Sequence, residues 1–153
     1  MPPNAWRDDR EFTMTFEFKQ SGHLNPTLLN PAARIARAGK LTGRWLNTNA
    51  ETQGIAQITI ESDGECLRVS FVGVGENGPI DWPVSVAEPL ANLEEEAGQL
   101  TAALAATFDV GFMRSETYLR VNKGVLVLVL FNTFQDDSGR SNYVNREFYY
   151  RRD

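Results

Sequence analysis

Thiol and imidazole are almost absent: the 153 residues hold one cysteine, Cys66, and one histidine, His23. A lone cysteine excludes an internal disulfide, and the pair leaves too few soft ligands for a structural zinc site, so no metal is expected. Basic residues are also in deficit. Fifteen Lys+Arg stand against 20 Asp+Glu, a net charge of -5, which repels a polyphosphate backbone and argues against nucleic acid as a partner. Long apolar runs are missing. The longest, Val125–Phe131, falls well short of the roughly 20 residues of a spanning helix, so no membrane association is expected. The start, "MPPNAWRDDREF", lacks the basic-then-apolar pattern of a secretory signal, and the expected compartment is the cytoplasm.

Catalytic and cofactor motifs are scarce too. There is no G-x-S-x-G, His23 sits beside Gly22 in a linker, and Cys66 follows Glu65 with only Arg68 as a nearby base, so no thiolate or triad is set up. "GVGENG", Gly73 to Gly78, matches a dinucleotide fingerprint in letters. It leads into "PIDWPV" and not into a helix that could hold a pyrophosphate, so it reads as a hairpin loop and no cofactor is expected. "QDDSGR", Gln135 to Arg140, gathers oxygen ligands without the closing carboxylate of a calcium loop, and reads as a turn.

What the chain does have is alternation. In Glu11–Lys19, Phe12, Met14, Phe16 and Phe18 share one face against polar residues on the other, the pattern of a half-buried strand. Asn30-Pro31 and Gly39 bracket a small helix after it. From Gly43 onward, eight strands are expected, near Gly43–Leu46, Gly54–Glu61, Cys66–Val72, Ile80–Ala87, Ala102–Phe108, Ser115–Val121, Val125–Phe134 and Asn142–Arg151. Turn sequences such as "SDGE" and "NKG" join them as hairpins. Leucines at helical spacing predict a helical turn or two around Pro89–Ala97.

The fold class expected is therefore all-β: an eight-stranded antiparallel up-and-down barrel with an N-terminal extra strand and one or two short helices. Residues 1–40 would pack on the barrel or on a partner, and 41–153 would form the barrel. A shift of 60 positions lays Gly64 on Gly124, Leu67 on Val127, Val69 on Val129 and Phe71 on Phe131. That is either a structural repeat or a chance match of two amphipathic hairpins. "VLVLVLFNTF" is apolar on both faces. One row would fill the interior and the other needs a cover, from the Phe12–Phe18 face, the short helix or a second copy in a homodimer.

Gly43-Arg44-Trp45 resembles the G-x-W signature of the lipocalin and wider calycin barrels, in which the tryptophan closes one end under a basic residue from the last strand. Arg146 or Arg151 would take that second role. A T-D-Y-type triplet and the lipocalin C-terminal helix have no counterpart here. The resemblance implies a cup for a small, mainly apolar molecule. "IDWPV" and "SGRSNYVNREFYYR" also look like pieces of bacterial barrel proteins that share the G-x-W start.

Three functions follow from these readings. The first is an intracellular barrel that binds a hydrophobic small molecule, with Trp45, Phe71, Trp82, Phe108 and Phe131 as apolar lining and Arg146 beside them. The second is an oligomeric interaction protein with a solid core. The third is a shape-driven cyclase or isomerase in natural-product biosynthesis, with Glu116, Tyr118, Arg120 and Glu147 as the polar groups.

Overall fold

The computed structural model describes residues 38–90 and 103–153. After a 3-10 turn at Ala38–Lys40, the chain runs β1 (Gly43–Asn47), β2 (Ile55–Ser62), β3 (Leu67–Gly75), β4 (Gly78–Asp81), β5 (Ser85–Leu90), β6 (Ala103–Asp109), β7 (Met113–Asn122), β8 (Val125–Phe134) and β9 (Tyr143–Arg152). Every pairing is antiparallel. β9 pairs with β1 and β2 with β3, so eight strands close into a barrel, and β4 hangs on β3 outside the ring. Closure removes the free edges that an open sheet would expose. Among the described residues no helix is long and apolar enough to cross a membrane.

The strand expected over Ile80–Ala87 is two strands. β3 pairs Val72 with Asp81 and Val69 with Ser85, so three steps on β3 face four on the partner. The surplus residue falls at Trp82-Pro83-Val84, where proline has no N–H for a ladder. The chain bends there and Trp82 turns toward the barrel, its backbone N–H donating to Phe71 O at 3.0 Å. Pro89 and Leu90, expected in a helical turn, belong to β5. The remainder of that segment, His23 and the Phe12–Phe18 strand lie outside the described residues.

Turn chemistry follows the sequence closely. Lys123 (φ 50°) and Gly124 (φ 81°) form the two-residue turn between β7 and β8, both with the positive φ that such hairpins require. "GVGENG" is the β3–β4 hairpin. In "SDGE", the Asp63 carboxylate accepts from the Cys66 and Glu65 backbone N–H groups, each at 2.8 Å, and from Arg68 at 2.5 Å. These donors hold its carboxyl well below the usual range, the Cys66 backbone bond foremost. Desolvation and that same carboxylate push the Cys66 thiol up, which suits an inert residue. In "QDDSGR", Asp136 accepts from Arg140 at 2.6 Å and from Ser138 N at 3.2 Å; these are turn bonds.

Alternation decides the core. Ile58, Ile60, Leu67, Val69, Phe71, Leu104, Phe108, Leu119, Leu126 and Leu128 are all buried inside the ring. On β8 the inward row is Leu126, Leu128, Leu130 and Asn132, while Val125, Val127 and Val129 are half-buried on the outside and Phe131 is 53% exposed. The outer valines stand between side chains of the neighbouring strands: Val127 opposite Arg120 and Phe148, Val129 opposite Tyr118 and Arg146. The long stems of those arginines and the aromatic rings flank the aliphatic row. The shift by 60 positions is not a structural repeat. It lays the inward Leu67, Val69 and Phe71 on the outward Val127, Val129 and Phe131. β3 begins three residues after Gly64 and β8 one after Gly124. Both offsets are odd, yet odd-numbered residues point inward on β3 and outward on β8, so the match pairs an inner row with an outer one.

Candidate functional site

The two ends of the barrel differ. At the end where β1 begins, Gly43-Arg44-Trp45 builds a plug. Trp45 is 1% exposed, and its indole Nε1 donates to Leu41 O at 2.9 Å. The Arg151 guanidinium carbon lies 4.6 Å from the centre of the Trp45 ring system. Its Nη atoms donate to Lys40 O at 2.5 Å and to Thr42 O, tying β9 to the 3-10 turn. Gly43 has φ 128°, which favours glycine, and a Cβ there would come within 2.8 Å of Arg151 Nη1 and displace the end of that side chain. Of the two arginines proposed to cover the tryptophan, Arg151 does so. Arg146 points outward, 5.4 Å over Phe148, because its parity on β9 is that of the exposed row.

The opposite end holds a cavity of about 530 Å³. Its apolar wall includes Ile55, Ile80, Trp82, Phe112 and Leu130, and its polar residues include Asn132, Asn145 and Tyr143, with Asp81 and Asp109 also on the lining. Below it an aromatic cluster braces the barrel. Phe71 and Phe108 stack with centroids 4.4 Å apart, and Trp82 lies 5.6 Å from each. Phe71 and Phe108 are both 1% exposed, so they back the site while Trp82 faces it. Gly73 permits this: a Cβ there would sit 3.0 Å from Trp82 Nε1.

Glu147 fastens the loop beside the cavity. Its carboxylate accepts from the Thr52 hydroxyl, from Ile55 N at 3.2 Å and faces Tyr149 Oη at 3.1 Å. The Tyr149 hydroxyl also reaches Ile55 O at 2.9 Å. Gly54 leaves room for the carboxylate, since a Cβ would meet Glu147 Oε2 at 2.8 Å. Burial, and then the neighbouring Glu147 carboxylate, push the Tyr149 phenol well above its ordinary value of 10. Glu147 thus positions the β1–β2 connection.

A second polar pair lies inside the ring itself. The Ser115 hydroxyl donates to Asn132 Oδ1, with the two residues 1% and 3% exposed. Asn132 lines the cavity.

The structure separates the residues named from the sequence. Trp82 lines the cavity, Phe71 and Phe108 support it, and Trp45 plugs the far end. Phe131 lies on the outer surface and cannot line the interior, because Leu130 and Asn132 take the inward parity of β8. Glu116 and Arg120 are exposed on the outside of β7, with Tyr118 half-buried on that same face; Glu116 pairs with Arg114 at 3.2 Å. These three do not converge with Glu147, which is inward on β9. Asn145, Tyr143, Ile55 and Leu130 belong to the cavity without having been singled out. For all but Ile55, which begins β2, the signal was parity with the inward leucine row across the β8–β9 pair, where Leu130 faces Asn145 and Asn132 faces Tyr143. Among the described residues no three His, Cys, Asp or Glu side chains cluster as metal ligands.

The chain matches no family model, no curated protein and no solved structure. Its likeness to the calycin barrels is therefore one of architecture, resting on the closed eight-strand ring and on Arg151 over Trp45.

Proposed function

We propose that this protein is a binding module that takes a hydrophobic small molecule into the open end of its barrel. The observation that carries the reading is the cavity of about 530 Å³, of the size that drug-like ligands occupy, walled by apolar side chains with a few polar groups set among them. The packed aromatic layer beneath gives it a rigid floor, and the Glu147 network holds one side of its rim. Binding is favoured over catalysis because the four polar candidates named from the sequence do not converge on the cavity: Glu116, Tyr118 and Arg120 lie on the outer surface and Glu147 anchors a loop. Native mass spectrometry of the protein as purified tests the reading. Extra mass that is shed on denaturation supports it, and a bare chain that also takes up no apolar probe counts against it.

A second reading, self-association, is favoured by one observation. Phe131, Val144, Phe148 and Tyr150 are 53%, 62%, 42% and 49% exposed and share the outer face of adjacent strands β8 and β9, Phe131 opposite Val144. Arg146 and Arg152 interrupt that face, which limits the apolar area it offers a second copy.

A further inference from the structure

The polar groups of the cavity are not evenly divided between donors and acceptors. Asn132 is 3% exposed and lines the cavity, and its Oδ1 is taken by the Ser115 hydroxyl. Its amide Nδ2 has no acceptor among the described residues. A buried donor left without a partner is costly, and native proteins rarely tolerate one without a use for it. Two further donors on the lining, on the half-buried Asn145 and Trp82, also lack an acceptor among the described residues. Asn145 turns its Oδ1 to the Arg146 backbone N–H at 3.0 Å, which leaves its Nδ2 as the free donor. The Trp82 indole N–H lies over Gly73.

The acceptors on the cavity wall are of another kind. Asp81 and Asp109 contribute carboxylates, Asp109 already accepting from Gly111 N at 2.9 Å and Gln135 Nε2 at 3.2 Å. They add negative potential to a chain of net charge -5. An anionic head group would meet like charge and receive no cationic partner from the lining.

We infer that the cavity recognises a non-anionic hydrophobic molecule through an acceptor oxygen, a carbonyl of ketone, ester or lactone type, held by the Asn132 amide. The inference rests on the binding reading above and adds the chemical class of the ligand. Ser115 orients the carboxamide by fixing its oxygen, which leaves the N–H pair toward the cavity. Trp82 supplies an apolar face on which a flat ligand can rest.

The test is a matched pair of probes: acetylnaphthalene, and isopropenylnaphthalene substituted at the same ring position, in which a CH₂ group replaces the carbonyl oxygen. Dissociation constants are measured for the unmodified protein and for Asn132→Leu. The ketone is expected to bind about tenfold tighter than the alkene, the usual consequence of one buried hydrogen bond made or left unmade. In Asn132→Leu that ratio should fall to about one. Equal binding of both probes to the unmodified protein overturns the inference and leaves the binding reading standing. Failure of both probes to bind overturns the two together. A preference that survives in Asn132→Leu overturns the assignment to Asn132. Should that variant not fold, the carbonyl ¹³C shift of the bound ketone in the unmodified protein decides. Movement downfield from its value in hexane is expected, and an unchanged shift contradicts the inference.

Discussion

Arg151 covers Trp45 with its guanidinium 4.6 Å from the ring centre and ties the last strand to the carbonyls of Lys40 and Thr42. One side chain thereby joins the two ends of the described barrel sequence at the point where β9 meets β1. Replacing it with methionine removes a cation–π contact and two charged hydrogen bonds, and is expected to cost about 1–3 kcal/mol in urea unfolding. Arg151→Lys should recover little of this, because an ammonium cannot both stack and bridge two carbonyls. Ligand uptake at the opposite end should be unaffected.

Glu147 is the anchor of the β1–β2 connection. Glu147→Ala leaves the Ile55 N–H and the Thr52 hydroxyl without their carboxylate. A loss of about 2 kcal/mol is expected, together with faster amide hydrogen exchange at Ile55. Exchange at the Leu128 amide, deep in the β8 ladder, should change only with global stability.

Alkaline pH should expose Tyr149. Its folded-state phenol titrates well above its ordinary value of 10 because it is buried beside Glu147. The sign follows from linkage: below pH 10 both folded and unfolded forms keep the proton and stability is constant. Above it the unfolded chain ionises first, and stability falls by about 1.4 kcal/mol per pH unit. Tyr149→Phe should lose stability at neutral pH and lack this alkaline component, as read from unfolding midpoints across pH 8 to about 11.

Self-association through the β8–β9 face predicts a concentration-dependent sedimentation coefficient that Phe131→Lys abolishes. Phe131 is 53% exposed, so the substitution should change stability by less than about 0.5 kcal/mol. A monomer at all concentrations would remove this second reading.

Much of the ring was legible in the chain because closure depends on features that repeat every two residues. Strand positions, hairpin turns and the G-x-W plug all appear in sequence order. The break at Trp82–Val84 was legible only in its proline, since a surplus residue shows itself in a register and not in a pattern. Residues of the site were harder to assign. Phe131 and Asn132 are neighbours, and parity allows only one of them to face inward; the sequence offered Phe131. An apolar strand such as β8 has a hydrophobic row on each face, so its inward row becomes clear only when Asn132 is paired with Ser115 across to β7. Glu116, Tyr118 and Arg120 share one outward row for the same reason, and Glu147 alone of the four polar candidates faces in.

The central claim, that the open end of the barrel is the binding site, is tested most directly by chemical-shift mapping of the ¹⁵N-labelled protein during titration with acetylnaphthalene. The account predicts saturable shifts at Gly54, Ile55, Gly73, Asn132 and Asn145, including the Asn132 side-chain amide, with Trp45 unmoved. Shifts confined to Phe131, Phe148 and Tyr150, or no saturable shift at all, would contradict it.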